Sequence, residues 1–211
     1  LHAHSSFSLL RGASAPERLV ARAHALGMHH LALTDHDDLG GAVRFSTAAT
    51  ELGVGGIIGA ELTVRVPGRD APTGLVLDAP RGEPAVPLHT VATHSRGLFA
   101  LTGSLRGWVP ALLAEGDPAA ALAAAGTLRD AFDGRLAVEV WDHLLPGERE
   151  LVKRLVPIAK ALGVPWVVAN DVQYAEPHER LVHDSLAALR HGRPLDAMGT
   201  RLHPNAEWQL K

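Results

Sequence analysis

The chain has 211 residues, a formal net charge of −3 and no cysteine. This length is sufficient for one large domain with a substantial hydrophobic core. The absence of cysteine excludes disulfides and thiolate metal sites, so any transition metal must be bound by imidazole and carboxylate groups. Thirteen histidines could serve as such ligands, whereas the weak negative charge gives no global attraction to nucleic acid. Because the sequence shows neither a signal peptide nor a long uncharged apolar segment, we expect a cytoplasmic protein without a membrane partner.

Short apolar segments alternate with helical patterns along the chain. Ser14 and Glu17 have the spacing of a capping box, which predicts a helix that ends near Gly27. The apolar segments predict strands over 30–34, 55–60, 136–141 and 166–169, and a hairpin over 62–66 and 74–77. Further helices are expected over 41–52, from near 95, and over 119–132, 148–162 and 177–190. This alternation predicts an α/β protein with parallel strands.

Candidate metal ligands lie at or just after the ends of these apolar segments. In an extended segment, residues two apart share one face, so His2 and His4 can direct two imidazoles at one point. In α/β folds with parallel strands, functional sites lie beyond the carboxyl ends of the strands. The other histidines and carboxylates in such positions are His36, Glu61, His143 and Asp171. The pattern therefore predicts a metal site built from these side chains.

Five motifs in chain order resemble the PHP (polymerase and histidinol phosphatase) domain. They are H-x-H-S-x-F-S-L-L-x-G from His2, A-L-T-D-H, I-I-G-A-E, V-E-V-x-D-H and V-A-N-D-V-x-Y. The resemblance covers essentially the whole chain. Within the family, the motifs most resemble the N-terminal domain of bacterial DNA polymerase III alpha subunits and their error-prone relatives. Residues 201–211 resemble the start of the linker to the polymerase module of such proteins. We therefore expect the PHP domain over residues 1–200. Because the chain begins at Leu1 without an initiator Met, we expect a fragment, and both a polymerase and a stand-alone domain remain open as its parent.

The resemblance implies a distorted seven-stranded (β/α)7 barrel, similar to a TIM barrel, with a metal cleft at the C-terminal ends of the strands. It also implies which residues bind each ion. The first ion would be held by His2, His4, Glu61 and Asp171, and the second would share Glu61 and add His89 and His143. A third would use His36, but Arg11 and Gln173 stand where its other two ligands are expected.

These two departures lead to the hypothesis of a site with two divalent ions, Zn, Mn or Fe. The guanidinium of Arg11 would supply part of the positive charge of the third ion and could bind phosphate oxygens. Two ions bridged by Glu61 can lower the pKa of a bridging water and polarise a phosphoryl group. We therefore expect phosphoester hydrolysis, with catalytic roles for Glu61, Asp171 and Arg11. The substrate would be a DNA 3′ end, in 3′-to-5′ proofreading, or a small phosphoester.

Two alternatives remain open at this point. A domain that has lost ligands can serve as a metal-binding or structural scaffold of the polymerase without turnover. An amidohydrolase-like metal hydrolase would also suit the H-x-H motif, but that class commonly bridges its metals with a carboxylated lysine on a barrel strand. Lys153 and Lys160 lie in a predicted helix, and Lys211 is the last residue of the chain. None of the three lysines is on a predicted strand, which counts against this alternative.

Overall fold

The computed structural model describes residues 2–66 and 86–211. The chain divides into two compact units, Leu1–Glu61 with Asn170–Lys211, and Leu62–Ala169. We call them the first and the second unit. All pairs of strands in both units are parallel among the described residues, which confirms the α/β class.

The first unit is built around two parallel strands. Its elements are α1 (Pro16–Ala25), β1 (His30–His36), α2 (Ala42–Leu52), β2 (Gly55–Glu61) and α7 (Arg180–His191), which follows a 3-10 turn over Pro177–Glu179. The register of β1 and β2 pairs His36, the last residue of β1, with Glu61, the last residue of β2. Two candidate ligands therefore lie side by side at one edge of this sheet.

Amphipathic helices cover the sheet of the first unit. The apolar face of α1 buries Leu19 and Val20, and α2 buries Phe45, so that these side chains pack with Leu31 and Leu33 of β1. Burial of each large apolar side chain contributes about 1.5–3 kcal/mol to folding. The two strands thus rest on a core that holds their carboxyl ends in place.

In its described part, residues 62–66 and 86–169, the second unit contains two separate parallel sheets. Its elements are β3 (Val64–Arg65), β4 (Val86–Pro87), α3 (Leu88–Thr93), β5 (Ala100–Leu101), α4 (Trp108–Ala114), α5 (Pro118–Ala131), β6 (Leu136–Val140), α6 (Glu148–Leu162) and β7 (Trp166–Val168). β3 pairs with β4, and β6 lies between β5 and β7. Every residue of β6 is buried, and α4, α5 and α6 supply Leu113, Ala125 and Leu155 to the same core. This burial on both faces explains why β6 is an uninterrupted apolar segment apart from one glutamate.

A closed seven-stranded barrel is not confirmed. The named strands of the described ranges fall into sheets of two, two and three strands. None of the helices in residues 2–66 and 86–211 has the length and apolar character needed to cross a bilayer.

Three local predictions require correction. Ala15, not Ser14, is the N-cap of α1, and the Ser14 hydroxyl instead donates to Glu179 at 2.9 Å. A helix was predicted to begin near residue 95, but α3 ends at Thr93, before that position. The helix follows directly on the two residues of β4, Val86–Pro87. Val64–Arg65 pairs in parallel with Val86–Pro87, while the second strand of the predicted hairpin, 74–77, lies outside the described residues.

Candidate metal centre

The chain around Ala3 lies between β1 and the segment that follows residue 170. The backbone N–H of His4 donates to Val172 O at 2.8 Å, and Val172 N donates to His2 O at 2.9 Å. On the other side, Thr34 N of β1 donates to Ala3 O at 2.8 Å. These parallel contacts fix the segment as extended backbone, so His2 and His4 present their side chains on one face as the sequence predicts.

Four side chains of the first unit converge at that face. The Nε2 atoms of His2 and His4 are 3.1 Å apart. His4 Nε2 lies 3.1 Å from Glu61 Oε2 and 3.3 Å from Asp171 Oδ1, and His2 Nε2 lies 3.7 Å and 3.9 Å from the same two oxygens. The structure therefore brings together all four residues predicted to hold the first ion.

The donor set has the chemistry of a divalent metal site. Among the described residues, His2, His4 and Asp171 form the group whose ligand atoms all lie within 4.8 Å of one another. Two imidazole nitrogens with carboxylate oxygens suit Zn, Mn or Fe. Both histidines are almost fully buried, so an ion held there would be shielded from water on the protein side.

The charges of these groups are strongly coupled. Burial raises the pKa of Glu61, but the nearby imidazoles of His2, His36 and His4 outweigh burial and hold the pKa well below its usual range. Burial also raises the pKa of Asp171, and the hydrogen bond from His4 with the charges of His2 and His4 again produces a net lowering. Both carboxylates are thus ionised at neutral pH and ready to accept a cation.

The backbone at the site is held in left-handed conformations. Asp171 has φ +44° and Asp37, directly after His36, has φ +53°. Aspartate tolerates this region better than most residues, but it still costs free energy that the surroundings must offset. The N–H of Asp37 donates to Glu61 O at 2.9 Å. Such strain at the ends of strands is typical of backbone that aims a side chain at a functional site.

His36, Arg11 and Gln173 stand at the three positions where the family resemblance places the ligands of a third ion. His36 Nδ1 lies 3.5 Å from Glu61 Oε2, and its Nε2 lies 3.4 Å from Asp37 Oδ2. Arg11 is half-buried in a turn, where its backbone N–H donates to the backbone oxygen of Ser8 at 2.8 Å. Gln173 donates from its side-chain amide to Asp171 Oδ1 at 2.7 Å. An amide N–H is a donor and not a metal ligand, so Gln173 supports the Asp171 carboxylate.

His89 and His143 belong to the second unit. His89 is exposed on α3, and His143 is buried after β6, where its Nδ1 lies 2.9 Å from Glu148 Oε1. A carboxylate behind an imidazole is a common support for a metal-binding histidine. Their assignment to a second ion, with Glu61 as the bridge, stays a prediction.

Several residues that the sequence analysis did not single out have structural roles here. Glu148 accepts hydrogen bonds from Trp141 Nε1, His143 N and Leu145 N, at 2.8–3.2 Å. Ser8 contacts His4, and Glu139 is a fully buried carboxylate on β6. A glutamate inside an otherwise apolar strand was the one sequence signal for Glu139. The roles of Ser8 and Glu148 depend on contacts that no motif encodes.

Residues 1–85 match the model of the family described as the PHP domain. An error-prone DNA polymerase of Symbiobacterium thermophilum is 38% identical over 221 residues, which are 90% of this chain and 20% of that protein. One from Anaeromyxobacter dehalogenans (strain 2CP-C) is 38% identical over 242 residues, 100% of this chain and 20% of that protein. The corresponding protein of Mycobacterium tuberculosis (strain H37Rv) is 36% identical over 232 residues, 97% and 21% of the two chains.

A crystal structure provides a comparison of the fold. It is that of a Bifidobacterium adolescentis protein to which the name metal-dependent phosphoesterase has been assigned, and it matches with a TM-score of 0.52. At 17% identity over 81% of this chain and 85% of that one, the match shows the fold alone. The chain spans about a fifth of the length of the curated polymerases it matches. The resemblance found in the motifs is thus confirmed: residues 1–85 match the PHP domain family, and the chain as a whole is similar to the corresponding part of bacterial error-prone DNA polymerases.

Proposed function

We propose that this chain is a metal-dependent phosphoesterase domain that acts as part of a DNA polymerase. The observation that carries the proposal is the convergence of His2, His4, Glu61 and Asp171, with His4 Nε2 at 3.1–3.3 Å from the two carboxylates. Four buried or half-buried ligands of this kind are more than a structural ion pair requires. The relationship to error-prone DNA polymerases supports a role within a longer polymerase chain.

The chemistry divides between the bound ion and the side chains around it. A divalent ion held by His2, His4, Glu61 and Asp171 would supply a positive charge that polarises the phosphoryl group and would lower the pKa of water toward neutrality. The chain itself orients the ligands, excludes water from the buried side of His2 and His4, and keeps Glu61 and Asp171 ionised. Because the ion supplies both effects, no serine or cysteine nucleophile is required.

Substrate binding is assigned to Arg11. A guanidinium presents a planar fork of donors that matches two phosphate oxygens. The proposed substrate is a phosphodiester at a DNA 3′ end, which a cytoplasmic polymerase would present, and a small phosphoester would fit the same chemistry. The second ion at His89 and His143, the exonuclease activity and closure of the strands into a barrel belong to this proposal.

Two alternatives lead to different outcomes. An amidohydrolase-like site with a carboxylated lysine is disfavoured, because Lys153 pairs with Glu150 on α6 at 2.6 Å and Lys211 pairs with Glu207. The scaffold alternative is favoured by one observation, the use of Gln173 as a support for Asp171 where the resemblance would place a third-ion ligand.

The test measures hydrolysis and metal content in one preparation. The purified chain is loaded with Mn²⁺ or Zn²⁺ and offered a 5′-labelled DNA oligonucleotide, bis(p-nitrophenyl) phosphate and a lactone. We expect phosphodiester turnover that EDTA abolishes and that Asp171→Asn lowers by more than about 100-fold, since it removes a ligand charge. Asp117→Asn is the matched control, because asparagine also caps α5. Full metal occupancy without phosphoester turnover would establish the scaffold, and lactone turnover alone the amidohydrolase.

A further inference from the structure

The hydroxyl of Ser8 connects a buried carboxylate with the imidazole of His4. Ser8 Oγ donates to Asp35 Oδ1 at 2.7 Å, and it lies 3.2 Å from His4 Nδ1. All three residues are almost fully buried. Water therefore does not compete for these hydrogen bonds, and their geometry decides which atoms carry protons.

The proton count at Ser8 leaves one arrangement. A hydroxyl has one proton to donate and two lone pairs to accept with. Its proton goes to Asp35, and one lone pair accepts from the backbone N–H of His36 at 2.9 Å. The second lone pair can then only accept, so the partner at 3.2 Å, His4 Nδ1, must be the donor. In this arrangement every hydrogen-bonding group of the Ser8 hydroxyl is used.

Asp35 is itself fixed by several donors. Its Oδ1 accepts from Ser5 N at 2.6 Å and its Oδ2 accepts from Ser5 Oγ at 2.7 Å, in addition to the bond from Ser8. The close turn that allows this needs a glycine at position 12, where a Cβ would lie 1.9 Å from Ser5 O. The carboxylate therefore cannot rotate away from Ser8 without breaking several buried hydrogen bonds.

We infer that Ser8 is a positioning residue, which with Asp35 holds the proton of His4 on Nδ1 and so leaves Nε2 of His4 as its metal-binding atom. The same hydroxyl holds the backbone of His36, so Ser8 ties the N-terminal ligand segment to the end of β1. This inference rests on the proposed metal centre. It assigns a function to a serine that neither the metal ligands nor the substrate contact requires.

The test reads the protonation of His4 directly, in the Zn²⁺-loaded chain labelled with ¹⁵N. We expect an Nδ1-bound proton on His4 that exchanges slowly with solvent, and coordination through Nε2. In Ser8→Ala that proton should exchange rapidly, and Zn²⁺ affinity measured by chelator competition should fall about 10–100-fold, as for other partners of metal-binding histidines. His4 bound through Nδ1 in the wild-type chain would overturn the inference without any variant.

Ser14→Ala is the matched control. Ser14 is also a fully buried serine of the first unit, and it likewise donates to a carboxylate, Glu179, and accepts from a backbone N–H, that of Ala175. Its hydroxyl has no hydrogen bond with an imidazole among residues 2–66 and 86–211. We expect Ser14→Ala to lower thermal stability like Ser8→Ala but to keep wild-type Zn²⁺ affinity. Equal Zn²⁺ affinities of Ser8→Ala and Ser14→Ala would overturn the role of Ser8 but leave the metal centre intact. A wild-type chain that binds no Zn²⁺ would overturn the metal centre itself.

Discussion

Gln173 donates a hydrogen bond from its side-chain amide to Oδ1 of Asp171 over 2.7 Å, and the same oxygen lies 3.3 Å from His4 Nε2. The amide therefore fixes the orientation of the Asp171 carboxylate. The backbone of Asp171 itself is in the left-handed conformation, with φ +44°. A side chain in the position expected of a third-ion ligand thus supports Asp171, a predicted ligand of the first ion.

We expect Gln173→Ala to weaken Zn²⁺ binding about 10-fold, because Asp171 loses a partner that limits its rotation. Isothermal titration of the metal-free chain measures this. Gln209→Ala serves as the control, since the bond of Gln209 to Asn170 uses its backbone oxygen. Unchanged Zn²⁺ affinity in Gln173→Ala would show that the backbone alone positions Asp171.

The double change Arg11→Asp with Gln173→His tests the third site. It replaces a cation and an amide by a carboxylate and an imidazole, close in sequence to His4 and Asp171, while His36 is retained. We expect the purified variant to bind one more equivalent of Mn²⁺ than the wild type, measured by elemental analysis. Unchanged stoichiometry would contradict the assignment of positions 11 and 173 to a lost third site.

The pH dependence of stability should depend on His4. Burial lowers the pKa of His4, but its hydrogen bonds to Asp171 and Glu61 outweigh burial and raise the pKa above its ordinary value of 6.5. The folded chain thus holds a proton that the unfolded chain releases, so this stabilisation is complete below the unfolded pKa and is lost as pH rises through the folded one.

In the metal-free chain, the difference in unfolding free energy between wild type and His4→Ala should therefore shrink as the pH rises above about 6.5. Denaturant titrations at each pH measure it. With Zn²⁺ the trend should reverse, because the metal competes with the proton for His4. A difference that grows with pH in the presence of EDTA would contradict the raised pKa.

Glu148 should dominate the stability of the turn between β6 and α6. It accepts hydrogen bonds from Trp141 Nε1 at 3.0 Å and from the backbone N–H of His143 at 2.8 Å, and all three residues are buried. Removing the carboxylate deletes the acceptor of these buried hydrogen bonds, so we expect Glu148→Ala to cost about 3 kcal/mol of unfolding free energy.

Glu150→Ala, two residues along the same helix, is the comparison. Its ion pair with Lys153 is exposed, so the loss should stay below about 0.5 kcal/mol. Similar costs for the two variants in urea titrations would show that the buried network is not what stabilises this turn.

Local sequence signals predicted most helices and strands to within a few residues. The apolar periodicity of α6 and the glycines that follow α2 and α6 are short-range features, and each element formed where they indicate. The predicted cap of α1 was wrong because a long-range contact replaced the local one. Ser14 illustrates this, because Glu179, which is 165 residues away in the chain, captures the hydroxyl that would have capped α1.

The sequence by itself determined the α/β class and the family resemblance, since those follow from residue type, periodicity and motif order. Through that resemblance it also indicated four side chains that converge in the structure, His2, His4, Glu61 and Asp171. The tertiary structure decided how the ligands are supported. It placed three hydrogen bonds: from Ser8 to Asp35, from Gln173 to Asp171, and from the backbone N–H of His143 to Glu148. Each depends on which polar groups come within hydrogen-bonding distance after burial. Burial forces each of these groups to find a partner, but the chain's folding, and not its local pattern, determines which partner that is.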